Sequence, residues 1–406
     1  MEAPARFPDK RPCRSSGKGA PILMIPEMKL SRIFLWSTAA AACLPAVKAE
    51  PWNQYPDNGP ETTLDSLWAA AGHVQAFSEA VSSQLGEYRF RDGKKSRFWV
   101  NGMGGFGNAR VRNDHPSFDY SAGGAAFGYD YCKSEGGEGR MLGLALGYLS
   151  GSQTVNEMAD HPDGFIEADK FRQNTMMVDV YGAACKYTGP KSSLLLAMNV
   201  GFGTTDNKCS HHGLNGEASK WDTETLNISL SAEWRYQATR SFAIIPFAKA
   251  SYIHASNKVE KDGCDNGDSS WWWDDEDEIW VEDSHSRWEN RGSLDNIALE
   301  VGLTFEHVIR FSSGRTWTNA LSGSYCPDVY RNNPRHTFND TWWEGDAMYE
   351  APYRGRGYAP SRQAFKAKFM SRLMCSERLS VYAAYQACFR EDYLEHQAAL
   401  GVSVSF

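Results

Sequence analysis

The most constraining feature of this sequence is the alternation in its last twelve residues. From Glu395 to the final residue, Leu400, Val402, Val404 and Phe406 alternate with Ala399, Gly401, Ser403 and Ser405. Side chains of a strand point to opposite faces in turn, so this pattern predicts one apolar face and one face of small or polar groups. A strand that ends on a bare aromatic would leave a sticky edge on a water-soluble sheet. A closed cylinder has no edge, because its last strand pairs with its first.

The rest of the chain carries the same pattern on a larger scale. Twelve strands are expected, near 97–106, 122–132, 140–150, 173–187, 192–203, 223–238, 241–255, 294–310, 314–325, 361–374, 377–389 and 395–406. Leu226, Ile228, Leu230, Ala232, Trp234 and Tyr236 oppose a row that ends in Glu233 and Arg235; Ile297, Leu299, Val301, Leu303 and Phe305 oppose Glu300 and Glu306; Phe365, Ala367 and Phe369 oppose Lys366, Lys368 and Arg372. Charges in mid-strand on a single face would be rejected by a sandwich core. They suit a water-filled lumen whose opposite face meets lipid. Strands of ten or more residues also match the span that a tilted strand needs to cross a bilayer. The connections alternate short and long, the short ones near 133–139, 188–191, 238–240, 312–314 and 375–376. The fold expected is all-β: a 12-stranded antiparallel transmembrane β-barrel over 97–406, with an even strand number that puts both barrel ends on one side. The seven charged residues Glu233, Arg235, Glu300, Glu306, Lys366, Lys368 and Arg372 are expected to line the lumen.

One helix precedes the barrel. Leu64, Leu67, Trp68, Ala71, Val74, Phe77, Val81 and Leu85 recur at spacings of three and four, which predicts a helix over Thr62–Leu85, capped by Thr63 or Asp65 and leading on to about residue 90. Threaded through the pore, it would face the charged lumenal row. The 36 glycines and the 14 Trp, 18 Tyr and 20 Phe fit a membrane cylinder, where aromatics ring the two interfaces and inner glycines leave room for a threaded helix.

The N-terminus reads as an export signal that begins at Met28. Met28-Lys29-Leu30-Ser31-Arg32 is basic, Ile33–Val47 is apolar, and Val47-Lys48-Ala49 places small residues at the cleavage positions. Residues 1–27 are then an upstream mis-assigned start, 28–49 the signal peptide and 50–61 a short polar lead. Cys43 raises a lipoprotein alternative, against which Ala40 stands where a leucine is expected. Without residues 1–49 the chain keeps 34 basic and 47 acidic residues, a surface unsuited to nucleic acid. Its seven remaining cysteines show no C-x-x-C spacing. A Cys209–Cys264 disulfide in the outer loops is weighed against free thiols.

Other motifs favour plain readings. Gly102-Met-Gly104-Gly105-Phe-Gly107 matches G-x-G-x-x-G, but a polar loop and another strand follow where a nucleotide fold needs a helix. Trp271-Trp272-Trp273-Asp274-Asp275-Glu276-Asp277-Glu278, after Asp262, Asp265 and Asp268, offers oxygens to calcium or to cations associated with lipopolysaccharide, yet lacks EF-hand spacing; a solvated loop is the plainer account of Asp262–Asp283. His211, His212 and His285 read as loop residues rather than metal ligands. There is no G-x-S-x-G, and no triad at matching strand ends, so neither an enzyme nor a cofactor or metal site is expected.

Taken in order, the export signal, the helix, Phe98-Trp99-Val100-Asn101-Gly102-Met103-Gly104-Gly105-Phe106-Gly107, the second strand Gly123-Gly124-Ala125-Ala126-Phe127-Gly128-Tyr129-Asp130 and the terminal Phe406 resemble the translocator domain of autotransporters. Asp65-Ser66-Leu67-Trp68 and Tyr325-Cys326-Pro327-Asp328-Val329-Tyr330-Arg331 are similar to the barrel end of chlamydial polymorphic membrane proteins. The resemblance implies type V secretion: export through the Sec translocon, and a monomer in the bacterial outer membrane among lipid and lipopolysaccharide. It implies insertion by the barrel-assembly machinery, which reads Leu400, Val402, Val404 and Phe406. It implies a pore helix that tethers a passenger, expected here to be absent or very short. The alternatives are a passive porin-like channel and a barrel that displays adhesive loops.

Overall fold

In the computed structural model, which describes residues 59–85, 93–110, 117–136, 138–155, 170–210, 218–258, 270–274, 279–283, 292–344 and 347–406, the alternating segments become the staves of a closed wall. β1 (Gly93–Ala109), β2 (Phe118–Glu135), β3 (Glu138–Val155), β4 (Lys170–Gly189), β5 (Ser192–Ser210), β6 (Ala218–Gln237) and β7 (Phe242–Lys258) each pair with the next. A hairpin of β8 (Ser270–Asp274) and β9 (Ile279–Asp283) intervenes before β10 (Ser293–Arg310) joins β7. The ninth stave is broken at Cys326-Pro327: β11 (Thr316–Tyr325) pairs with one half of β10, and β12 (Asp328–Asn332) with the other. A second hairpin, β13 (Arg335–Glu344) and β14 (Ala347–Arg356), forms its own small sheet. β15 (Phe365–Met374), β16 (Leu379–Phe389) and β17 (Tyr393–Ser405) complete the circuit. β17 pairs with β1 from Arg97↔Ser405 to Ala109↔Tyr393, so the wall is a 12-stave antiparallel barrel with no open edge.

All twelve expected strands are there, but β1 to β7 each run further than expected toward the rim that carries the long connections. The extra residues, such as 204–210 of β5 and 218–222 of β6, are mostly polar, with the lumenal Trp221 an exception. A hydrophobic period marks only the stretch where one face meets an apolar phase, so it fades where both faces are wet. The short turns lie together on the opposite rim, among them the β2–β3 turn, where Gly136 adopts φ +58°.

The outer face is apolar. Phe98, Val100, Leu142, Leu144, Leu146, Met198 and Val200 are exposed, whereas Trp99, Asn101, Ala145, Ala197 and Asn199 on the other face are buried. Outward aromatics gather at two heights. Phe98 lies 5.0 Å from Tyr129 and 5.7 Å from Phe406, and Phe106 stacks on His396 at 4.7 Å. Eight residues separate Phe98 from Phe106, about 26 Å along the strand at roughly 3.3 Å per residue. A tilt near 40° reduces that to about 20 Å, close to the apolar band of a barrel in a bilayer.

Inside, several aromatics lie flat on the glycine directly across the ladder: Trp99 on Gly128, Tyr181 on Gly143 and Tyr382 on Gly401. A β-carbon at any of these glycines would overlap the ring, so the close approach needs glycine. Trp99 donates to the Tyr181 hydroxyl (2.7 Å), which donates in turn to Asp130 (3.0 Å).

The helix, α1 (Gly59–Leu85), is 27 residues long, about 40 Å at roughly 1.5 Å per residue, and runs within the barrel. It starts earlier than the expected Thr62. Asp65 therefore lies inside the helix rather than at its start, and its carboxylate accepts the backbone N–H of Tyr358. Residues 86–90, expected to continue the linker, lie outside the described residues, as do 1–58 with the export signal and the polar lead.

Candidate functional site: the filled lumen

A helix threaded through a polar wall must satisfy polar groups on every side. Ser66, His73 and Gln84 share one face of α1, Asp65 and Ser78 point roughly 100–120° to either side of it, and all five are buried. Along β3 to β6 the fit is close and uncharged. Gln173 donates to the Ser66 carbonyl (3.0 Å) and Trp221 to the Ser66 hydroxyl (3.1 Å). His73 Nδ1 lies 2.6 Å from the Thr175 hydroxyl. Asn199 and Asn227 both donate to the Ser78 hydroxyl, at 2.6 and 3.0 Å. Between these contacts the wall is bare backbone: β-carbons at Gly147, Gly151 and Gly203 would each come within 2.6 Å of Phe77, His73 and Val74 respectively.

The remaining wall meets α1 through charge. Glu79 takes Lys249 of β7 at 2.5 Å and Lys368 of β15 at 3.7 Å, with every partner at least two-thirds buried. Nearer the short-turn rim, Arg372 donates to the Ser83 carbonyl (2.8 Å) and Arg97 to the Gln84 carbonyl (3.2 Å). Arg97 is also bound to Asp130 at 2.6 Å, both side chains almost fully buried.

Of the seven charged residues expected in the lumen, Lys368 and Arg372 touch the helix. Lys366 and Glu300 form a pair at 2.9 Å, Arg235 and Glu306 another at 2.7 Å, and Glu233 sits half-buried two positions from Arg235. Period-two reading finds which face a charge occupies but not which wall the helix leans on. It therefore missed Arg97, Gln173, Asn199, Asn227 and Lys249. The first strand also departs from its reading. Its G-x-G-x-x-G glycines do not receive α1: Gly102 is exposed, and Gly104, Gly105 and Gly107 abut Ala122, His396 and Tyr393. The helix leans toward β3 to β6, and the glycines that admit it are those of β3 and β5.

At the long-loop rim the helix is clasped. Gly292 and Gly357 pack on Leu64, and the buried Tyr358 binds Asp65 through its N–H and the Asp392 carbonyl through its hydroxyl (3.2 Å). Asp328 accepts from Arg331 (3.0 Å) and Arg390 (2.9 Å), and the Arg331 guanidinium lies 5.4 Å over the Trp68 ring.

No cluster able to hold a metal occurs among the described residues, and Cys132, Cys185, Cys326, Cys375 and Cys388 are free thiols. His211, His212, His285, Cys264 and Asp262–Asp268 lie outside the described residues; of the acidic Trp-rich stretch, the backbone of β8 and β9 is described.

A family model for the autotransporter beta-domain matches residues 98–260. No curated relative matches the chain in sequence. The fold is similar to the transport unit of the autotransporter AIDA-I from Escherichia coli, at a TM-score of 0.55 and 13% identity, over 83% of this chain and 99% of that one. It is similar to the translocator domain of NalP from Neisseria meningitidis, at 0.54 and 12%, over 85% and 99%. For the beta domain of the Bordetella autotransporter BrkA the values are 0.50 and 13%, over 77% and 100%. Residues 98–260 thus match the autotransporter beta-domain, and the barrel with one helix in the pore has the fold of an autotransporter translocator domain.

Proposed function

We propose that this chain is the outer-membrane translocator of a type V secretion system, and that it delivers whatever precedes its pore helix to the cell surface. The observation that carries this reading is the polarity of α1. Its N-terminal end, at Leu64 and Asp65, meets Gly292, Gly357 and Tyr358 at the long-loop rim. Its C-terminal end, at Ser83 and Gln84, meets Arg372 and Arg97 at the short-turn rim. Short turns face the periplasm in outer-membrane barrels, so the segment before Gly59 is handed outward.

In this reading residues 28–49 are a cleaved signal read by the Sec translocon. The outward row Leu400, Val402, Val404 and Phe406 is the mark read by the barrel-assembly machinery, and lipid and lipopolysaccharide cover the apolar face of a monomer. Lys249, Lys368 and Arg372 hold the helix, and the paired charges Glu300–Lys366 and Arg235–Glu306 brace the wall. The barrel carries out transport and anchoring, not catalysis.

The test is a small reporter domain fused between Glu50 and Glu61. It should be reached by antibody or protease on intact cells. A reporter retained in the periplasm on a correctly inserted, heat-modifiable barrel would overturn the translocator reading. Deleting Phe406 should lower insertion and expose the chain to periplasmic proteases; unchanged insertion would remove its role as an assembly mark.

A further inference from the structure

Charge is unevenly spread around the short-turn rim. The chain as a whole is acidic, with a net charge of −8. Yet three successive turns on this rim, β4–β5, β6–β7 and β10–β11, carry only base. Lys186 and Lys191 flank the first, Arg240 lies in the second, and Arg310 and Arg315 flank the third. All five are exposed, and residues 186–192, 237–242 and 310–316 contain no Asp or Glu. None of the five has a carboxylate partner among the described residues. Arg310 donates instead to the Arg240 carbonyl (2.7 Å), which brings two cationic residues together. On the other half of the rim the turns are balanced. Lys133 and Arg140 share the β2–β3 turn with Glu135 and Glu138, and Arg378 follows Glu377 between β15 and β16.

We propose that this basic arc is an interaction surface for anionic glycerophospholipids, and that it holds their phosphodiester headgroups in the leaflet on the short-turn side. This requires the barrel to stand in a bilayer and is independent of the export role.

The depth of the arc fits. In a membrane cylinder, outward aromatics gather at the interface between hydrocarbon and water. Tyr187, Trp234, Tyr236, Phe305 and Phe311 are all exposed on these staves, and Phe242 stacks on Phe305 at 6.2 Å. Lys186 adjoins Tyr187, Arg310 adjoins Phe311, and Lys191, Arg240 and Arg315 each stand four positions past one of these rings. Long aliphatic stems let Lys and Arg lie along apolar surface while their charged heads reach the phosphate layer.

Cations grouped without acids repel one another, and an anion shared among them relieves the repulsion. An anionic bilayer surface attracts each Lys or Arg held against it, and the attraction fades within a Debye length. Only cations fixed at headgroup depth gain from it, and these five are fixed there by short turns.

The outline of the arc selects lipid over protein. Its turns join β4 to β11 along the wall, six of the twelve staves. Strands about 4.8 Å apart and tilted by about 40° each take up roughly 6 Å of perimeter, so the arc is a convex curve of about 35–40 Å. A fluid ring of lipids follows such a curve, whereas one docked protein meets a compact patch. The balanced half, which includes the β17–β1 seam, lacks the attraction, so anionic lipids gather on one side of the barrel.

The test folds the full chain in vesicles of equimolar phosphatidylcholine and phosphatidylglycerol. A trace of either lipid carries a spin label, and electron paramagnetic resonance reads the fraction immobilised on the barrel. One cation at an anionic surface is worth about a fivefold factor, which averages to about a threefold preference for phosphatidylglycerol over a perimeter half of which is selective. Salt at about 1 M, with a screening length of about 3 Å, should remove most of that preference. The triple variant Lys186→Gln, Lys191→Gln and Arg315→Gln, checked for heat-modifiable folding, should bring it close to parity; it leaves the contact between Arg240 and Arg310 in place. The pair Lys133→Gln and Glu135→Gln, on the balanced half, should leave the preference unchanged. Equal immobilisation of the two lipids by the parent barrel would overturn the proposal. So would a preference that survives salt, one that survives the triple variant in a folded barrel, or one that the balanced-half pair lowers as much as the triple variant does.

Discussion

The two sides of the lumen hold one helix by different means. Along β3 to β6 the wall reaches α1 through bare glycine backbone and neutral donors, with Ser66, His73 and Ser78 each matched to a side chain across the gap. Opposite, Glu79 bridges to Lys249 and Lys368 in a wall that otherwise stands away and leaves cavities. The tight side depends on shape and the loose side on charge. A helix held by shape on both sides would be fixed like any core; one held by charge alone would be weakly oriented. The combination fixes its position on one face and tethers it on the other.

Removing α1 abolishes both sides at once and has the largest expected effect. A barrel lacking Gly59–Leu85 should conduct several-fold more in a planar bilayer than the full chain, and equal conductance would show that the helix does not block the pore. Next is Glu79→Ala, which takes from the mostly buried Lys249 and Lys368 the one carboxylate that both contact. Breaking such a pair by removing one member costs about 3–5 kcal/mol. Protease access to α1 should appear at lower urea, and the double variant Glu79→Leu with Lys249→Met should recover much of the loss, because an apolar pair also satisfies that space. Third is a matched pair of enlargements. Gly203→Leu drives a side chain into Val74 and should cost about 1–3 kcal/mol. Ala399→Leu grows into a cavity on the loose side and should change the unfolding midpoint little. Equal costs would erase the distinction between the sides. Ser78→Ala comes next, at about 1–2 kcal/mol, since it removes the acceptor that Asn199 and Asn227 share. The smallest effect is that of salt. Raising ionic strength to about 1 M shortens the screening length to about 3 Å. It should loosen the helix slightly in the parent chain, and less in the double variant, which has lost Glu79 and its nearer partner Lys249.

Much of the barrel was legible because its wall obeys one rule. Leu226 to Tyr236 and Ile297 to Phe305 alternate against polar rows, and that alternation located the staves. Three things were not legible, each for a physical reason. The polar ends of β4, β5 and β6 have no apolar partner row, so periodicity could not extend them. The break between β11 and β12 turns on Cys326-Pro327, since a proline cannot donate to the ladder, yet an edge or loop proline reads the same way. The side to which α1 leans is set by Gly147, Gly151 and Gly203, and a glycine in a strand does not announce what approaches it. The charged candidates followed suit: Lys368 and Arg372 touch the helix, while Glu300, Glu306, Arg235 and Lys366 spend their charge on one another.

The contact between Tyr358 and Asp65 joins residues 293 positions apart. Asp65 is made early and Tyr358 late, and Tyr358 is further tied to Asp392 between β16 and β17. This bond cannot form on a half-built cylinder, because the staves that carry it to the mouth come last. The clasp is therefore a clock. Until β15 to β17 are seated, the entrance beside the helix stays unlatched. Closure of the final seam and latching of the helix's outer end become one event, tied to the position of a tyrosine along the chain.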